Sequence, residues 1–180
     1  MNLKLAWTVG LLTVAIAIAG LASVSAQHPY TTQSKEQEKI FFVPRDRPKS
    51  GVGWEITTTS GEAEIALAQH LVNIGAKEYV AWWCPHCHEQ KLLFGKQAYQ
   101  IISDSIKFEC DNRGVNAQPD LCEAANVSAY PTWVINGNQY SGVQNLKDLA
   151  RISGYKGSNN FKYVHVPRFF LAAQCPIHKT

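Results

Sequence analysis

The strongest fold signal in this chain is the stretch YVAWWCPHCHEQK at residues 79–91. Its first five residues form a continuous apolar run of strand length, which is typical of a central strand covered on both faces. Two cysteines separated by two residues, Cys84 and Cys87, follow at once. Because a helical pattern then continues to about residue 100, the sequence predicts a strand, a Cys-x-x-Cys motif and a helix in direct succession.

Weaker patterns on both sides of this stretch complete an α/β order. Capping residues, turn residues and hydrophobic periodicity predict a helix from Thr59, with Glu62 at capping-box spacing, to Gly75, a strand at Ile106–Cys110, a short helix at Asp120–Asn126, a hairpin through Asn136-Gly137 and a helix from Asn145 to Gly154. This order predicts a mixed sheet of about four strands with helices on both faces, within residues 59–155.

Composition excludes several classes of protein. The chain has 180 residues, 46% of them apolar and 17% charged, which fits one domain with extensions and excludes a disordered chain or a multi-span membrane protein. It carries 17 basic and 14 acidic residues without a run of Lys or Arg. We therefore expect no nucleic-acid partner.

Both ends of the chain lie outside the predicted domain. Residues 1–26 contain one charge, Lys4, followed by an apolar stretch that ends in small residues, which indicates either a secretory signal cleaved after Ala26 or an uncleaved N-terminal membrane anchor. In both cases the rest of the chain is expected to be exported to a compartment where disulfides persist. Residues 27–58 are predicted to be a linker or extension with one short strand at Ile40–Val43, and 156–180 a C-terminal extension of unknown role.

The spacing of Cys84 and Cys87 suits disulfide exchange. Cys84 would lie at a helix N-terminus, where unpaired N–H groups and the helix dipole stabilise a thiolate. Cys87 lies one turn further on and can close a disulfide by attacking a mixed intermediate. We therefore predict that Cys84 is exposed and attacking, and that Cys87 is shielded and resolving.

The two residues between these cysteines are predicted to tune the pKa of Cys84. Pro85 has the φ angle that a first helical turn prefers and gives up an N–H that has no partner within the helix. His86 adds a positive charge near the sulfur of Cys84, which favours the thiolate and the reduced state. A stabilised reduced form makes the disulfide more oxidising, so an oxidising pair is expected.

The same residues are compatible with other chemistry. A structural Cys84–Cys87 disulfide would close almost no loop, and a zinc site would lack a second pair of closely spaced cysteines, so no metal is expected. The string Cys84-Pro85-His86-Cys87-His88 also matches c-type haem attachment with His88 as axial ligand, although the exported part contains no Met to complete the coordination. A c-type haem electron carrier and a non-catalytic peptide-binding domain remain alternatives.

The other three cysteines have separate interpretations. Cys110 and Cys122 flank a loop rich in turn residues, and a structural disulfide between them would stabilise the fold by about 3 kcal/mol in the chain-entropy model. A second redox pair is the alternative. Cys175 has no partner by this reasoning, and the sequence leaves open a free thiol, an intermolecular bond or simple burial.

A substrate groove is predicted beside the cysteines. The bond from Tyr130 to Pro131 is either cis or trans, and a cis bond next to the cysteines would let an extended substrate peptide pair with the backbone of Tyr130. Trp83 precedes Cys84 on the strand and is a candidate for the same surface.

The motifs together resemble the thioredoxin superfamily. The resemblance is greatest to the thioredoxin-like domain fused to vitamin K epoxide reductase homologues of cyanobacteria and plastids. The motifs that carry it span about Thr59 to Tyr155: residues 81–91, Leu93-Phe94-Gly95-Lys96, residues 116–122, Tyr130-Pro131-Thr132-Trp133 and residues 140–144.

This resemblance implies a thiol–disulfide oxidoreductase with a thioredoxin-like fold and no cofactor beyond its redox disulfide. It implies that Cys84 and Cys87 are the redox pair, that Pro131 is the cis proline, and that Cys110 and Cys122 form the additional disulfide. Protein thiols would be the substrates, in the periplasm or the thylakoid lumen. The membrane bundle of the fusion is absent from this sequence, so a separate vitamin K epoxide reductase-like or other quinone-linked membrane partner is a hypothesis.

Overall fold

A computed structural model describes residues 37–40, 42, 44–165 and 174–177 of the chain. The predicted signal or anchor at residues 1–26 lies outside these residues. Among the helices that are described, none is both long enough and apolar enough to cross a bilayer.

The described elements alternate between helices and short strands. In chain order they are β1 (Glu38–Ile40), α1 (Glu62–Asn73), β2 (Lys77–Val80), α2 (Pro85–Ser105), β3 (Lys107–Glu109), α3 (Pro119–Ala124), β4 (Ala129–Tyr130), β5 (Thr132–Ile135), β6 (Asn138–Ser141), α4 (Leu146–Ser153), β7 (Tyr163–His165) and β8 (Cys175–Pro176).

A four-stranded mixed sheet organises the domain, with strand order β3-β2-β5-β6. β2 is parallel to β3 and antiparallel to β5, which forms a hairpin with β6. On one face of the sheet, Trp133 packs with apolar residues of α1, α2 and α4, whereas on the other face Tyr79 packs in the cluster that contains Cys122 of α3. The predicted α/β fold, with about four strands in a mixed sheet and helices on both faces, is confirmed.

The end of β2 and the start of α1 differ from the predictions. β2 ends at Val80, before the two tryptophans, because the N–H of Cys84 bonds to the carbonyl of Ala81 and closes a turn there. The predicted capping box at Thr59 is wrong. Gly61 caps α1, and its N–H donates to the carboxylate of Glu64 at 2.8 Å.

Helix α2 is kinked at Gly95, whose φ of 76° lies in the left-handed region. The segment before α1 fills the kink. The hydroxyl of Ser60 donates to the carbonyl of Phe94 and accepts the N–H of Ala98, each at 2.8 Å. Because these bonds replace the interrupted helical ones, α2 continues through the kink to Ser105.

Parts of both extensions belong to the packed domain. β1 pairs in parallel with β7 over Glu38–Ile40, and Phe41 and Val43 of the predicted strand lie outside the described residues. Ile40, Phe161 and Tyr163 are buried in the same core as α1 and α2. The packed region therefore extends beyond residues 59–155 on both sides.

Candidate active site

Cys84 is positioned by the turn between β2 and α2. It is the N-cap residue of α2, with extended backbone angles, and Pro85 occupies the first helical turn. The first helical N–H groups lack partners within the helix and, together with the helix dipole, favour negative charge at this end. The position therefore suits a cysteine that reacts as a thiolate.

The sulfur of Cys84 is bonded to Cys175, ninety-one residues away in the sequence. Cys84 is fully buried, and Cys175 is 7% exposed. The prediction that Cys84 is exposed is therefore wrong for this state of the molecule, because the C-terminal segment covers its sulfur. Cys175, whose partner the sequence left open, forms an intramolecular disulfide with Cys84.

The backbone of this C-terminal segment lies along the predicted substrate groove. Strand β8 is antiparallel to β4, with Cys175 opposite Tyr130 and Pro176 opposite Ala129. The N–H of Ile177 extends the pairing to the carbonyl of Ser128 at 3.3 Å. The peptide bond from Tyr130 to Pro131 is cis, and the carbonyl oxygen of Tyr130 lies 3.6 Å from the sulfur of Cys84.

Cys87 is a free thiol in the same apolar cluster as Cys84 and Cys175, and it is 1% exposed. Burial raises the pKa of the Cys87 thiol well above its usual value, and the nearby charges of Glu78 and Glu109 raise it further. A hydrogen bond with the backbone of Ala81 and the charge of Lys91 act in the opposite direction. Burial therefore favours the protonated form of Cys87 while the site is closed, so Cys87 must lose its proton before it can attack a disulfide.

A buried ionisable cluster surrounds Cys87. Glu78 on β2 is fully buried and accepts a hydrogen bond of 2.8 Å from the hydroxyl of Tyr99. Burial raises the pKa of Glu78 to about 7, against the lowering effects of Tyr99 and Lys91. Burial also lowers the pKa of Lys91 and raises the pKa of Glu109. The cluster supplies an acid with a pKa near neutrality and a cation close to a buried thiol.

Sequence reasoning missed Glu78 because the predicted strand began at Tyr79. The signal was present, since a carboxylate beside the apolar run of a central strand is costly to bury and is often functional.

His86, which the sequence assigned to tuning Cys84, is paired with Glu89. The imidazole Nδ1 lies 2.9 Å from the carboxylate of Glu89, which also accepts the N–H of Phe42 at 3.3 Å. Burial raises the pKa of Glu89, but the hydrogen bond and the charge of His86 outweigh it and leave that pKa below its usual value. Glu89 is 1% exposed, so its carboxylate is buried and not solvated.

Trp83 is held beside the groove by the loop after β3. Its indole N–H donates to the carboxylate of Asp111 at 2.7 Å, and its ring meets that of Tyr130 edge-on with centroids 6.4 Å apart. Hydrogen bonds from Arg113, and a smaller one from Trp83, keep the pKa of Asp111 well below its usual range although burial acts against them. The three predicted groove residues, Trp83, Tyr130 and Pro131, are thus brought together around Cys84.

Comparison with known proteins agrees with this geometry. Over 144 residues the chain is 35% identical to the thiol-disulfide oxidoreductase LTO1 of Arabidopsis thaliana. This chain is similar to a thiol–disulfide oxidoreductase. The match covers 78% of the chain and 35% of the relative, so the chain spans about a third of that protein's length. The chain matches no protein-family model. The similarity and the mixed sheet together support a thioredoxin-like domain.

The second disulfide of the thioredoxin-like domain joins Cys110, just after β3, to Cys122 on α3, across twelve residues of sequence. The backbone of the strand end is paired, since the N–H of Cys110 donates to the carbonyl of Val80 at 2.9 Å. The bond therefore ties the turn-rich loop and α3 to the sheet.

The haem interpretation does not fit the domain. Cys84 is bonded to Cys175, and His88 is 3% exposed, with its ring 4.3 Å from that of Phe42 and 5.7 Å from that of Trp54. Burial lowers the pKa of His88 to about 4, so its imidazole is neutral. The motif therefore lacks the two available thiols and the accessible imidazole that haem attachment requires. The described residues also contain no group of three side chains able to hold a metal ion.

Proposed function

We propose that this chain is a thiol–disulfide oxidoreductase that exchanges disulfides with protein substrates through Cys84 and Cys87. One observation carries the proposal. The sulfur at the N-terminus of α2 already forms a disulfide with a cysteine whose extended backbone pairs with Tyr130, and a free thiol lies one helical turn away. This is the arrangement that a mixed disulfide with a substrate peptide requires.

The proposed exchange starts from the oxidised Cys84–Cys87 pair. A substrate thiolate attacks the sulfur of Cys84 in a Cys84–Cys87 disulfide, which forms the mixed disulfide and releases the Cys87 thiolate. The second substrate thiolate then attacks the substrate sulfur and releases Cys84. The substrate loses two electrons, and the chain gains them as two thiols. In the reducing direction Cys87 attacks Cys84 of the mixed disulfide and releases the substrate thiol.

The buried cluster supports the role proposed for Cys87. A resolving cysteine must lose its proton before it attacks, and only the thiolate is nucleophilic. With a pKa of about 7, Glu78 can take up or return a proton near neutral pH, while the charge of Lys91 stabilises the Cys87 thiolate. We assign Glu78 and Lys91 to proton and charge control of the resolving step.

Location and recycling are part of the proposal. The apolar segment of residues 1–26 supports export to the periplasm or thylakoid lumen, and a disulfide such as Cys110–Cys122 persists in an oxidising compartment. Reoxidation of Cys84 and Cys87 must transfer two electrons to an acceptor. A vitamin K epoxide reductase-like or other quinone-linked membrane protein is proposed to accept them.

A trapping experiment tests the catalytic role. Removing Cys87 alone would leave Cys175 able to occupy Cys84, so the trap is the double variant Cys87→Ser/Cys175→Ser. We expect it to accumulate thiol-reversible adducts with proteins from its own compartment, attached through Cys84. The matched control adds Cys84→Ser and should accumulate none. Equal adduct levels in the two variants would contradict the proposal.

Turnover separates catalysis from simple peptide binding. A non-catalytic peptide-binding domain predicts no insulin reduction and no oxidation of a dithiol peptide, whereas the proposed enzyme catalyses at least one of these. The reduction potential of the Cys84–Cys87 pair then sets the direction of flux. A value of about −120 mV identifies an oxidant, and a value of about −270 mV identifies a reductant.

A further inference from the structure

We propose that residues 174–177 are a tethered substrate mimic, whose Cys175 closes the groove by an intramolecular mixed disulfide with Cys84 until Cys87 displaces it. This proposal rests on the proposed function, because it assigns regulation to the same site. It makes Cys175 a third redox cysteine in a relay of three, and the 84–175 bond a self-inhibited state of the oxidised chain.

The backbone pairing is that of a bound peptide. An extended segment that adds a strand to an exposed edge gains affinity from main-chain hydrogen bonds. Cys175 stands opposite Tyr130, and Ile177 donates its N–H to Ser128, so the segment runs antiparallel to the residues that precede Pro131. A substrate cysteine attached to Cys84 would need this same strip of backbone.

The position of the bond distinguishes it from the second disulfide. Cys110–Cys122 joins a strand end to α3 and involves neither cysteine of the Cys-x-x-Cys motif. The 84–175 bond instead uses the N-cap sulfur of α2 and leaves Cys87 reduced within the same buried cluster. Consequently the Cys110–Cys122 bond holds the loop to the sheet, whereas the Cys84–Cys175 bond occupies the reactive sulfur of Cys84.

Release of the segment requires no external oxidant or reductant. The Cys87 thiolate attacks the sulfur of Cys84, the 84–175 bond breaks, and the 84–87 bond forms. The proton lost by Cys87 is balanced by protonation of the departing Cys175 thiolate. The number of disulfides is unchanged, so the step is an isomerisation between a closed and an open oxidised form.

The noncovalent hold on the segment is small. β8 has two residues, and among the described residues its strand partner is the two-residue β4. Ile177 adds partial burial against the cluster that contains Cys84 and Tyr130. Once the disulfide has exchanged, a competing peptide needs to displace only this short pairing.

Peptide mapping tests the closed form directly. The oxidised full chain is quenched in acid, alkylated and digested without reduction. We expect a cross-linked peptide containing Cys84 and Cys175, with the alkyl group on Cys87. Cys175→Ser should instead yield the 84–87 disulfide. Detection of only the 84–87 bond in the wild-type chain, with Cys175 alkylated, would overturn the proposal.

Rates test the inhibition. The probe is a synthetic peptide with two cysteine thiols, at micromolar concentration, mixed with the oxidised protein. The tethered Cys175 competes at an effective concentration in the millimolar range, so we expect Cys175→Ser to oxidise the peptide at least about tenfold faster than the wild type. Equal rates would overturn the proposal that residues 174–177 act as a substrate mimic. Loss of exchange in both proteins would instead refute the proposed function.

A substitution that keeps all three cysteines tests the strand pairing. Ile177→Asp places a charge against the apolar cluster around Cys84, and should shift the oxidised chain from the 84–175 to the 84–87 isomer. Val52→Asp is the matched control, because Val52 is 49% exposed in a surface turn. It should leave the isomer ratio unchanged. An unchanged ratio in Ile177→Asp would show that the segment is not bound as a peptide.

Discussion

The hydroxyl of Tyr99 donates a 2.8 Å hydrogen bond to the carboxyl group of Glu78 in the buried layer around Cys87. Both side chains are nearly inaccessible, at 3% and 0% exposure. Burial of a carboxyl group favours its neutral form, which places the titration of Glu78 near neutral pH. Stability and chemistry at this site should therefore both depend on pH in the physiological range.

Glu78→Gln should change the pH dependence of stability. The folded-state pKa of about 7 lies above the ordinary value of 4.5, so the folded chain binds more protons than the unfolded chain between these values. Stability from this residue is present below pH 4.5 and is lost as the pH rises to 7, by up to about 3 kcal/mol. We expect Glu78→Gln to be more stable than the wild type at pH 8 and to have a flatter profile.

Urea denaturation at pH 5 and pH 8 measures this difference. Glu123→Gln, at an exposed position on α3, is the control and should follow the wild-type profile. A Glu78→Gln variant that loses stability equally at both pH values would contradict the assignment of a buried, raised pKa.

Lys91→Met should slow the resolving step. The charge of Lys91 lowers the pKa of Cys87, so its removal raises that pKa and depletes the thiolate. Each pKa unit reduces the thiolate fraction roughly tenfold at a pH below the pKa. The measurement is the rate at which a preformed mixed disulfide on Cys84 is resolved in the Cys175→Ser background.

The pH profile distinguishes this effect from misfolding. We expect the slow rate of Lys91→Met to recover as the pH is raised, whereas Lys96→Met, at an exposed position of the same helix, should resolve at the control rate. A pH-independent loss in Lys91→Met would indicate damage to the fold.

Gly95→Ala should destabilise the domain more than Gly75→Ala. Both glycines have positive φ, 76° and 68°, which costs an alanine about 1 kcal/mol. A Cβ at Gly95 would also lie 2.5 Å from the backbone nitrogen of Ser60, whereas at Gly75 it would meet no atom within 4 Å. Overpacking against backbone adds about 2 kcal/mol at Gly95. Urea midpoints of the two variants provide the comparison, and equal losses would show that the kink adapts.

The double variant Cys110→Ser/Cys122→Ser should lose stability without losing exchange. The disulfide that closes this loop contributes about 3 kcal/mol to the free energy of unfolding in the chain-entropy model. Thermal unfolding gives the stability, and dithiol peptide oxidation at a temperature where the variant is folded gives the activity. Lost turnover in the folded variant would favour the alternative that these cysteines relay electrons.

Local sequence patterns were sufficient to predict the central strand, the helix after it and the hairpin of the domain. The apolar run before Cys84 and the helical pattern after it predicted β2 and α2, since hydrophobic periodicity and cysteine spacing are properties of neighbouring residues. The hairpin turn at Asn136-Gly137 followed in the same way, and both residues have the positive φ that this turn needs. The misplaced cap at Thr59 shows the limit, because contacts with α2 and β7 decide where the bonds of that segment go.

The state of the site depended on distant parts of the chain. Sequence spacing brought Cys84 and Cys87 within one helical turn and assigned them to thiol chemistry, because a helix N-terminus stabilises a thiolate wherever it occurs. Which cysteine forms a disulfide with Cys84 was decided by tertiary structure alone. Among the described residues, the pairing of β8 with β4 places Cys175 at that sulfur. Glu78 and Cys87 are buried where the sheet and α2 pack together. Strand pairing between segments ninety-one residues apart, and desolvation of side chains in a shared core, produce no periodic pattern in the sequence.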